Sequence, residues 1–358
     1  MAWVTLAAVA GDYVELKRRV RDAGLLEPEP WWYVASLCVN AVLLAGTLIC
    51  LARFHQAWAQ ALDAVALGLI AGQIGFQFHD AGHHQMFPKA WQNRLIGLVC
   101  ANAVLGFSFG LWMDEHTRHH ANPNHMELDP DVRNVALAYS TDQALARGRP
   151  LRWLAKYQAY LFVPLASIAA WSLHAQAVGY LVTRRYRGRR VEIAILLVHV
   201  VLVTAFLLAV AGPGAAVMIV LIQKAVTGLY VASVITPNHM GMRQTDGGDS
   251  LDFMRRQVLT SRNVRSTRLT DLLYGSLNLQ IEHHLFPRMT RRNLTRARPI
   301  VRQYCMETGV PYHEVSIGRA YVELLRFLHA VGAPLRGEAA AAIPSPGVAS
   351  GGAGRRAV

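Results

Sequence analysis

The sequence predicts an all-α integral membrane protein, in which transmembrane helical hairpins carry a cytoplasmic helical cap that holds clustered histidines. Three observations predict it. Hydrophobic residues fill 53% of the 358 positions and charged residues only 16%, which is too apolar for a soluble enzyme of this length. The apolar residues gather in runs of about twenty, a length that spans a hydrocarbon core of roughly 30 Å at 1.5 Å per residue. The formal charge of +13 comes mostly from basic residues between those runs, where positive charge sets topology and attracts anionic lipid. These residues are not interleaved with stacking aromatics, which argues against nucleic acid as a partner.

Within the first thirty residues, Val14, Leu16, Val20 and Leu25 recur among charges and predict an amphipathic helix lying on the membrane surface. Glu15, Lys17, Arg18 and Arg19 precede the first long apolar run and no small-residue cleavage site follows it. The run therefore reads as a retained span rather than a leader. Residues 31–51 and 58–78 are long enough to cross a bilayer, and the short Ala52-Arg53-Phe54-His55-Gln56 connection makes them a hairpin.

A third apolar stretch, residues 95–113, joins two of the histidine clusters. A single crossing would put those clusters on opposite faces, so the stretch is expected to be re-entrant or interfacial, with Gly97, Gly106 and Gly110 allowing it to bend. Polar, irregular sequence over 122–150 leads into the apolar residues 154–182, interrupted at Pro164. The basic loop 184–190 favours the cytoplasmic side, and spans at 191–210 and 215–234 then return His239 to that side. Parity requires residues 154–182 to enter and leave on one face, and Pro164 is the expected break.

Residues 288–331 carry arginines with Tyr304, Tyr312, Tyr321, Leu324, Leu325 and Phe327, the composition of helices within the cap. Residues 31–331 thus form one integrated domain, preceded by the segment 1–30 and followed by a tail over 332–358. The tail is rich in Ala, Gly, Pro and Ser, and disorder is expected there. Cys38, Cys50, Cys100 and Cys305 are far apart and form no CxxC pair, which excludes the usual zinc, haem-attachment and iron–sulfur frameworks.

A transition metal in this chain must therefore be held by histidine. His79 and His83, with His84 beside them, form one cluster; His116, His119 and His120 form a second; Gln280, His283 and His284 form a third, and His239 stands alone after an apolar run. Spacings of three and four residues place side chains on one helix face about 5–6 Å apart. One such pair arises easily by chance among 15 histidines, whereas three groups bordering apolar segments do not. Eight imidazoles and an amide exceed the needs of one four-coordinate zinc and suit two metals with open positions. Iron fits a greasy substrate that offers only C–H bonds, because a hydrocarbon has nothing for a Lewis acid to polarise.

Acidic neighbours could fix the ligand imidazoles. Asp80, Glu115 and Glu282 are candidates to accept a ring N–H, and Asp129 and Asp131 flank Pro130 where they could orient a covering loop. His84 and His125 are candidates for the surrounding shell. His55, His174, His199, His313 and His329 lack a cluster and are not expected to be ligands.

The runs His79-Asp-Ala-Gly-His83-His84, Asp114-Glu115-His116-Thr-Arg-His119-His120-Ala-Asn122-Pro-Asn124 with Asp129-Pro-Asp131, and Leu279-Gln280-Ile-Glu-His283-His284-Leu-Phe-Pro287 resemble the three histidine boxes of the membrane fatty acid desaturase family. Pro237-Asn238-His239-Met-Gly241 resembles the additional histidine element before the third box. The similarity spans roughly residues 30 to 320. It implies a di-iron centre (two Fe ions per chain) on the cytoplasmic side of a multi-pass protein, in the cell membrane, with an acyl tunnel beneath. The ligands carried over are His79, His83, His116, His119, His120, His239, His283 and His284. Many members have histidine where this chain has Gln280, and the glutamine form is similar to front-end desaturases; direct and water-mediated coordination by Gln280 both remain open.

Front-end members usually carry a fused cytochrome b5 domain with a His-Pro-Gly-Gly motif, and none precedes Trp31. The resemblance therefore implies electrons from a separate donor such as ferredoxin, with an NAD(P)H-dependent reductase behind it. Arg255, Arg256, Arg262, Arg265, Arg288, Arg291 and Arg292 are candidates to attract its acidic face. The implied reaction uses O2 as co-substrate to remove two hydrogens from adjacent methylenes of an acyl-lipid or acyl-CoA, leaving a cis double bond. Hydroxylation or epoxidation by the same kind of centre is the alternative within the enzyme class, and a non-catalytic membrane interaction protein is the alternative outside it.

Overall fold

The computed structural model describes residues 2–133 and 135–339, with side chains from residue 12 onward. Among the described residues the chain is helical almost throughout, and its extended structure is a two-stranded parallel pairing, β1 (Asn263–Val264) with β2 (Glu314–Val315), plus one isolated bridge between His125 and Thr245. The chain order begins with α1 (Ala2–Asp22), α2 (Pro30–Arg53), α3 (Ala57–Gly82) and α4 (Ala90–Leu98). A π-helix over Val99–Val104 then leads to α5 (Phe109–Ala121), α6 (Thr141–Ala146), α7 (Arg149–Tyr157), α8 (Phe162–Ser167), α9 (Ala169–Thr183) and α10 (Arg189–His239). The remaining helices are α11 (Phe253–Leu259), α12 (Arg268–Leu273), α13 (Gln280–Leu285), α14 (Arg291–Glu307) and α15 (Ile317–Gly332).

Helices α2, α3 and α10 are each long and apolar enough to cross a membrane. α10 is two limbs: Gly212, with φ 72° and ψ 171°, interrupts its 51 residues just before Pro213. His199 on the first limb bonds the Ala103 carbonyl at 2.9 Å, while Lys224 on the second lies 3.0 Å from His174, itself 3.2 Å from the Leu105 carbonyl. Residues 25 apart in a straight helix would be separated by roughly 37 Å, so the limbs must fold back at Gly212 to reach one short segment. The two spans expected at 191–210 and 215–234 are these limbs. Leu51, Ala64, Leu207, Ala216 and Ile219 form one cluster, so the tips of the two hairpins pack together at the end away from His79 and His239.

α3 is the central helix of the four limbs. Its glycines let α10 approach: a Cβ on Gly72 would sit 2.2 Å from the Tyr230 ring, a contact only glycine permits. The outward faces of α2 and α10 are apolar and exposed, as at Val42 (70%), Val201 (64%) and Leu202 (63%), which is the surface a hydrocarbon solvent requires.

The stretch expected to be re-entrant is bent. α4 with its π-helical extension and α5 make an angle of 118°, and the chain turns back at Leu105 to Phe107, where Gly106 has φ 68°. The segment 154–182 differs from expectation. It is three helices, α7, α8 and α9, and the breaks fall at residues 158–161 and at Ile168 rather than at Pro164. Pro164 lies in the first turn of α8, where its missing N–H would have had no intrahelical acceptor in any case.

The cap is built from α11 to α15 with α1. Leu16, Val20 and Leu25 are buried in one core with Leu279, Ile281, Leu285, Leu294 and Val301, so these residues pack on α13 and α14, while Val14 is 67% exposed. Tyr13 donates to the Leu285 carbonyl at 2.8 Å. Beyond α15 a 3-10 turn, Ala333–Arg336, seats the Arg336 guanidinium on the Lys156 and His329 carbonyls at 2.8 and 2.7 Å, inside the stretch where a disordered tail is expected. Residues 340–358, the rest of that tail, lie outside the described residues.

Candidate metal centre

Four segments deliver the clustered histidines to one place. His79 sits in the last turn of α3 and His83 caps it, after which His84 adopts φ 57° and turns the chain away. α5 carries His116, His119 and His120. Its N-cap Ser108 accepts from the Leu111 N–H at 3.1 Å, the usual way to satisfy a helix start, and the Trp112 ring stacks on His116 at 4.4 Å. His239 ends the second limb of α10, and α13 supplies Gln280, His283 and His284.

The Nε2 atoms face one another. His83 and His116 are 2.8 Å apart, His116 and His120 3.0 Å, and His120 and His283 3.1 Å. Two groups can each hold an ion: His79, His83, His116 and His283 in one, and His119, His239 and His284 in the other, with the ligand atoms of each within 4.8 Å of one another. His120 lies between them, its ring 4.6 Å from that of His83 and stacked at 4.2 Å on His284.

Around the rings stands a set of acceptors. His79 Nδ1 donates to Asp80 Oδ1 at 3.1 Å and His119 Nδ1 to Asp129 Oδ2 at 2.9 Å. His239 Nδ1 donates to the Thr260 carbonyl at 3.0 Å and His284 Nδ1 to Gln257 Oε1 at 2.9 Å. Each bond fixes the proton on Nδ1 and turns the Nε2 lone pair inward, the tautomer a metal needs. Arg291, buried, pairs with the other oxygen of Asp80.

The donor set fits a metal. Buried His284 Nε2, on the side of the ring away from Gln257, has no hydrogen-bond partner among the described residues, and an orphaned buried polar atom is costly unless something else binds it. Burial and the surrounding imidazoles hold His283 and His284 well below the usual imidazole range, so they are neutral and able to ligate. The all-nitrogen donor set suits iron and other imidazole-binding transition metals.

Several residues proposed from the sequence take other positions. Gln280 turns its amide nitrogen to His239 Nε2 at 3.0 Å, and its Oε1 accepts from Asn238 Nδ2 at 3.2 Å. Glu282 is bonded by Asn263 Nδ2 and the Tyr312 hydroxyl, both at 2.7 Å, rather than by a ligand imidazole; burial pushes its carboxyl up to about 7 against those bonds. His125 Nδ1 accepts from the Glu127 and Leu128 N–H groups at 3.2 and 3.3 Å and shapes its own loop. Glu115 and His84 are half-buried, and neither belongs to the metal-holding groups found among the described residues. Asp131, 3.4 Å from His119 Nδ1, does stand at the site.

Of the basic residues proposed as a docking surface, Arg262 and Arg291 are buried, Arg262 against Glu323 at 3.1 Å, and Arg255 is paired with Asp12 and Asp252 at 3.0 and 2.7 Å. Arg256 is half-buried, and Arg265, Arg288 and Arg292 remain exposed. Gln257, Thr260, Trp112 and the Arg291–Asp80 pair are site elements that no spacing pattern signals.

Known proteins are similar to this chain over most of its length. The fatty acid desaturase profile matches residues 56–316. An acyl-lipid (9-3)-desaturase of Physcomitrium patens is 29% identical over 89% of this chain, and a Delta(8)-fatty-acid desaturase of Euglena gracilis is 30% identical over 88% of it. A Delta(5) fatty acid desaturase of Caenorhabditis elegans is 28% identical over 86%. The chain spans 62% of the length of the Physcomitrium protein, 78% of the Euglena protein and 70% of the Caenorhabditis protein.

Proposed function

Since the chain belongs to the fatty acid desaturase family, a family of membrane oxidoreductases, we propose that it inserts a cis double bond into the acyl chain of a lipid or an acyl-CoA, at an iron pair held by its histidines. The observation that carries this reading is the convergence of eight imidazoles from four segments, seven of them in two adjacent ligand groups and His120 between the two. In the overall reaction O2 takes one electron pair from two neighbouring C–H bonds and one from an external donor, and leaves as water. Iron, when bound, would supply the oxidising chemistry.

The chain's own residues supply position. His79, His83, His116 and His283 would hold one ion and His119, His239 and His284 the other, with His120 between them. Asp80, Asp129, Gln257 and the Thr260 carbonyl hold the ring tautomers. Gln280 presents an amide nitrogen rather than its oxygen to the site, so it would act through a water and not as a direct ligand. The Trp112 ring lies against His79, His83 and His116 and covers that side of the cluster. An apolar chain held beside it would place one pair of methylenes near the metals, and regioselectivity would follow from the distance to an anchored head group.

The reading includes a separate electron donor of the ferredoxin class with its NAD(P)H-dependent reductase, and a multi-pass placement in the cell membrane with the cap facing the cytoplasm. Exposed Arg265 and Arg288 are the basic residues best placed to meet an acidic partner. Expression in a host of defined fatty acid composition, followed by lipid analysis, should reveal a new cis double bond. A hydroxylated product with no alkene would overturn desaturation.

A further inference from the structure

A second concave site is lined by Arg292, the neighbour in sequence of the Arg291 that pairs with Asp80. The start of α2, α12 and the first turns of α14 enclose a cleft of about 530 Å³ lined by Glu29, Trp32, Arg268, Asp271, Arg292 and Arg296 among others. Its carboxylates are already engaged. Asp271 accepts from Ser266 Oγ at 2.7 Å and Asn278 Nδ2 at 2.8 Å, and Glu29 accepts from Thr290 Oγ1 at 3.1 Å and Arg292 at 3.3 Å. The arginines are not equally engaged. Arg296 bonds only the Asn293 amide oxygen, at 3.1 Å, and Arg268 has no hydrogen-bond or ion-pair partner among the described residues.

The surroundings are those of a membrane boundary. Leu269, Leu272 and Leu273 of α12 are 65%, 64% and 44% exposed and Trp31 is 82% exposed. The Leu272 and Leu273 carbonyls accept from Gln73 and Tyr230 of the apolar helices at 3.0 and 2.6 Å, so α12 lies against the flank of the membrane limbs. Apolar side chains, tryptophans and arginines together mark the level of lipid head groups. The residue before Arg292 is Arg291, which reaches Asp80 and through it His79, so the wall of the cleft and the metal centre share the start of α14.

We propose that this cleft binds the phosphate of the substrate's head group, with Arg268, Arg292 and Arg296 as its cationic contacts, and so sets the distance from head group to metal centre. Guanidinium groups bind phosphate by paired, charge-assisted hydrogen bonds, and the volume suits a head group of small-ligand size. The proposal rests on the desaturase reading for the identity of the substrate. Its chemistry, a phosphate ester, is common to a phospholipid and to CoA.

The test uses the full chain loaded with iron in detergent micelles, titrated with a short-chain phosphatidylglycerol in one arm and with free CoA in the other, for wild type and for R268Q/R296Q. Iron content and thermal midpoint confirm that the variant is folded, and R268Q alone, at an exposed unpaired residue, serves if the double variant is not. One of the probes should bind wild type and bind the variant about tenfold more weakly, identifying the source of the phosphate. The KM for the matching acyl substrate should rise by a similar factor. Equal affinity in wild type and variant, or no binding of either probe, overturns the cleft as a phosphate site. Those results leave the desaturase reading standing if double bonds still form, whereas absence of any alkene defeats that reading while the titration still decides the cleft.

Discussion

Asp129 shows how one side chain can serve both the ligand set and the loop behind it. It is fully buried, accepts from His119 Nδ1 at 2.9 Å, and also accepts the Asn124 and Asp131 N–H groups at 2.8 and 3.0 Å. Asn124 in turn donates to the His239 carbonyl at 2.9 Å, so removing Asp129 disturbs two ligands of the same group. Asp129→Ala should lower both iron affinity and turnover by about 10–100-fold, the usual effect of losing a partner that orients a metal ligand. Metal titration and product formation measure it, and unchanged values would remove Asp129 from the site. The clustered histidines and this aspartate are legible in the sequence because local spacing puts them on one helix face or just beyond its end, whereas His239 has no such partner and is legible only through the resemblance of its Pro237-Asn238-His239 segment. Gln257 and Thr260 are not, because they come from a segment without histidine and meet the rings only through the tertiary fold. Gln280 is legible as a position, but the side to which its amide oxygen turns depends on Asn238, a neighbour in space on another helix.

The second histidine helix depends on a contact made far along the chain. Glu192, in the first turn of α10, is buried and accepts from Ser108 Oγ at 2.8 Å, the Gly110 N–H at 3.1 Å and Asn102 Nδ2 at 3.1 Å. It therefore clamps the bend between the π-helix and α5 and fixes the angle at which His116, His119 and His120 arrive. Glu192→Ala strands three donors and should destabilise the fold by about 1–3 kcal/mol while reducing iron retention. Thermal unfolding with parallel metal analysis tests this, and loss of stability with full iron occupancy would separate the clamp from the site. The bend itself is legible from logic, since an unbent crossing would part the first two clusters; its clamp is not, because nothing local pairs residue 192 with residue 108. The breaks between α7, α8 and α9 were similarly hidden. Pro164 looks like the interruption in a linear reading, yet a helix start tolerates it, and the break at Ile168 lies where α8 packs on α10: a Cβ on Gly228 would sit 2.6 Å from the Ala166 carbonyl.

At the scale of the whole molecule, two apolar hairpins pack together from their tips toward the cap, and the end of α3, the end of α10 and the bent pair all finish beside α13. Helix α1 closes the far side of the cap through Leu16 and Val20. This arrangement turns histidines spread over more than half of the chain into one cluster, and the central claim is that the cluster holds a pair of irons. Iron counted per purified chain after anaerobic reconstitution tests it most directly. About two irons are expected in the wild type, as eight imidazoles with open positions require, and about one when His239 and His284 are both replaced by alanine. A wild-type chain that binds one iron or none would contradict it.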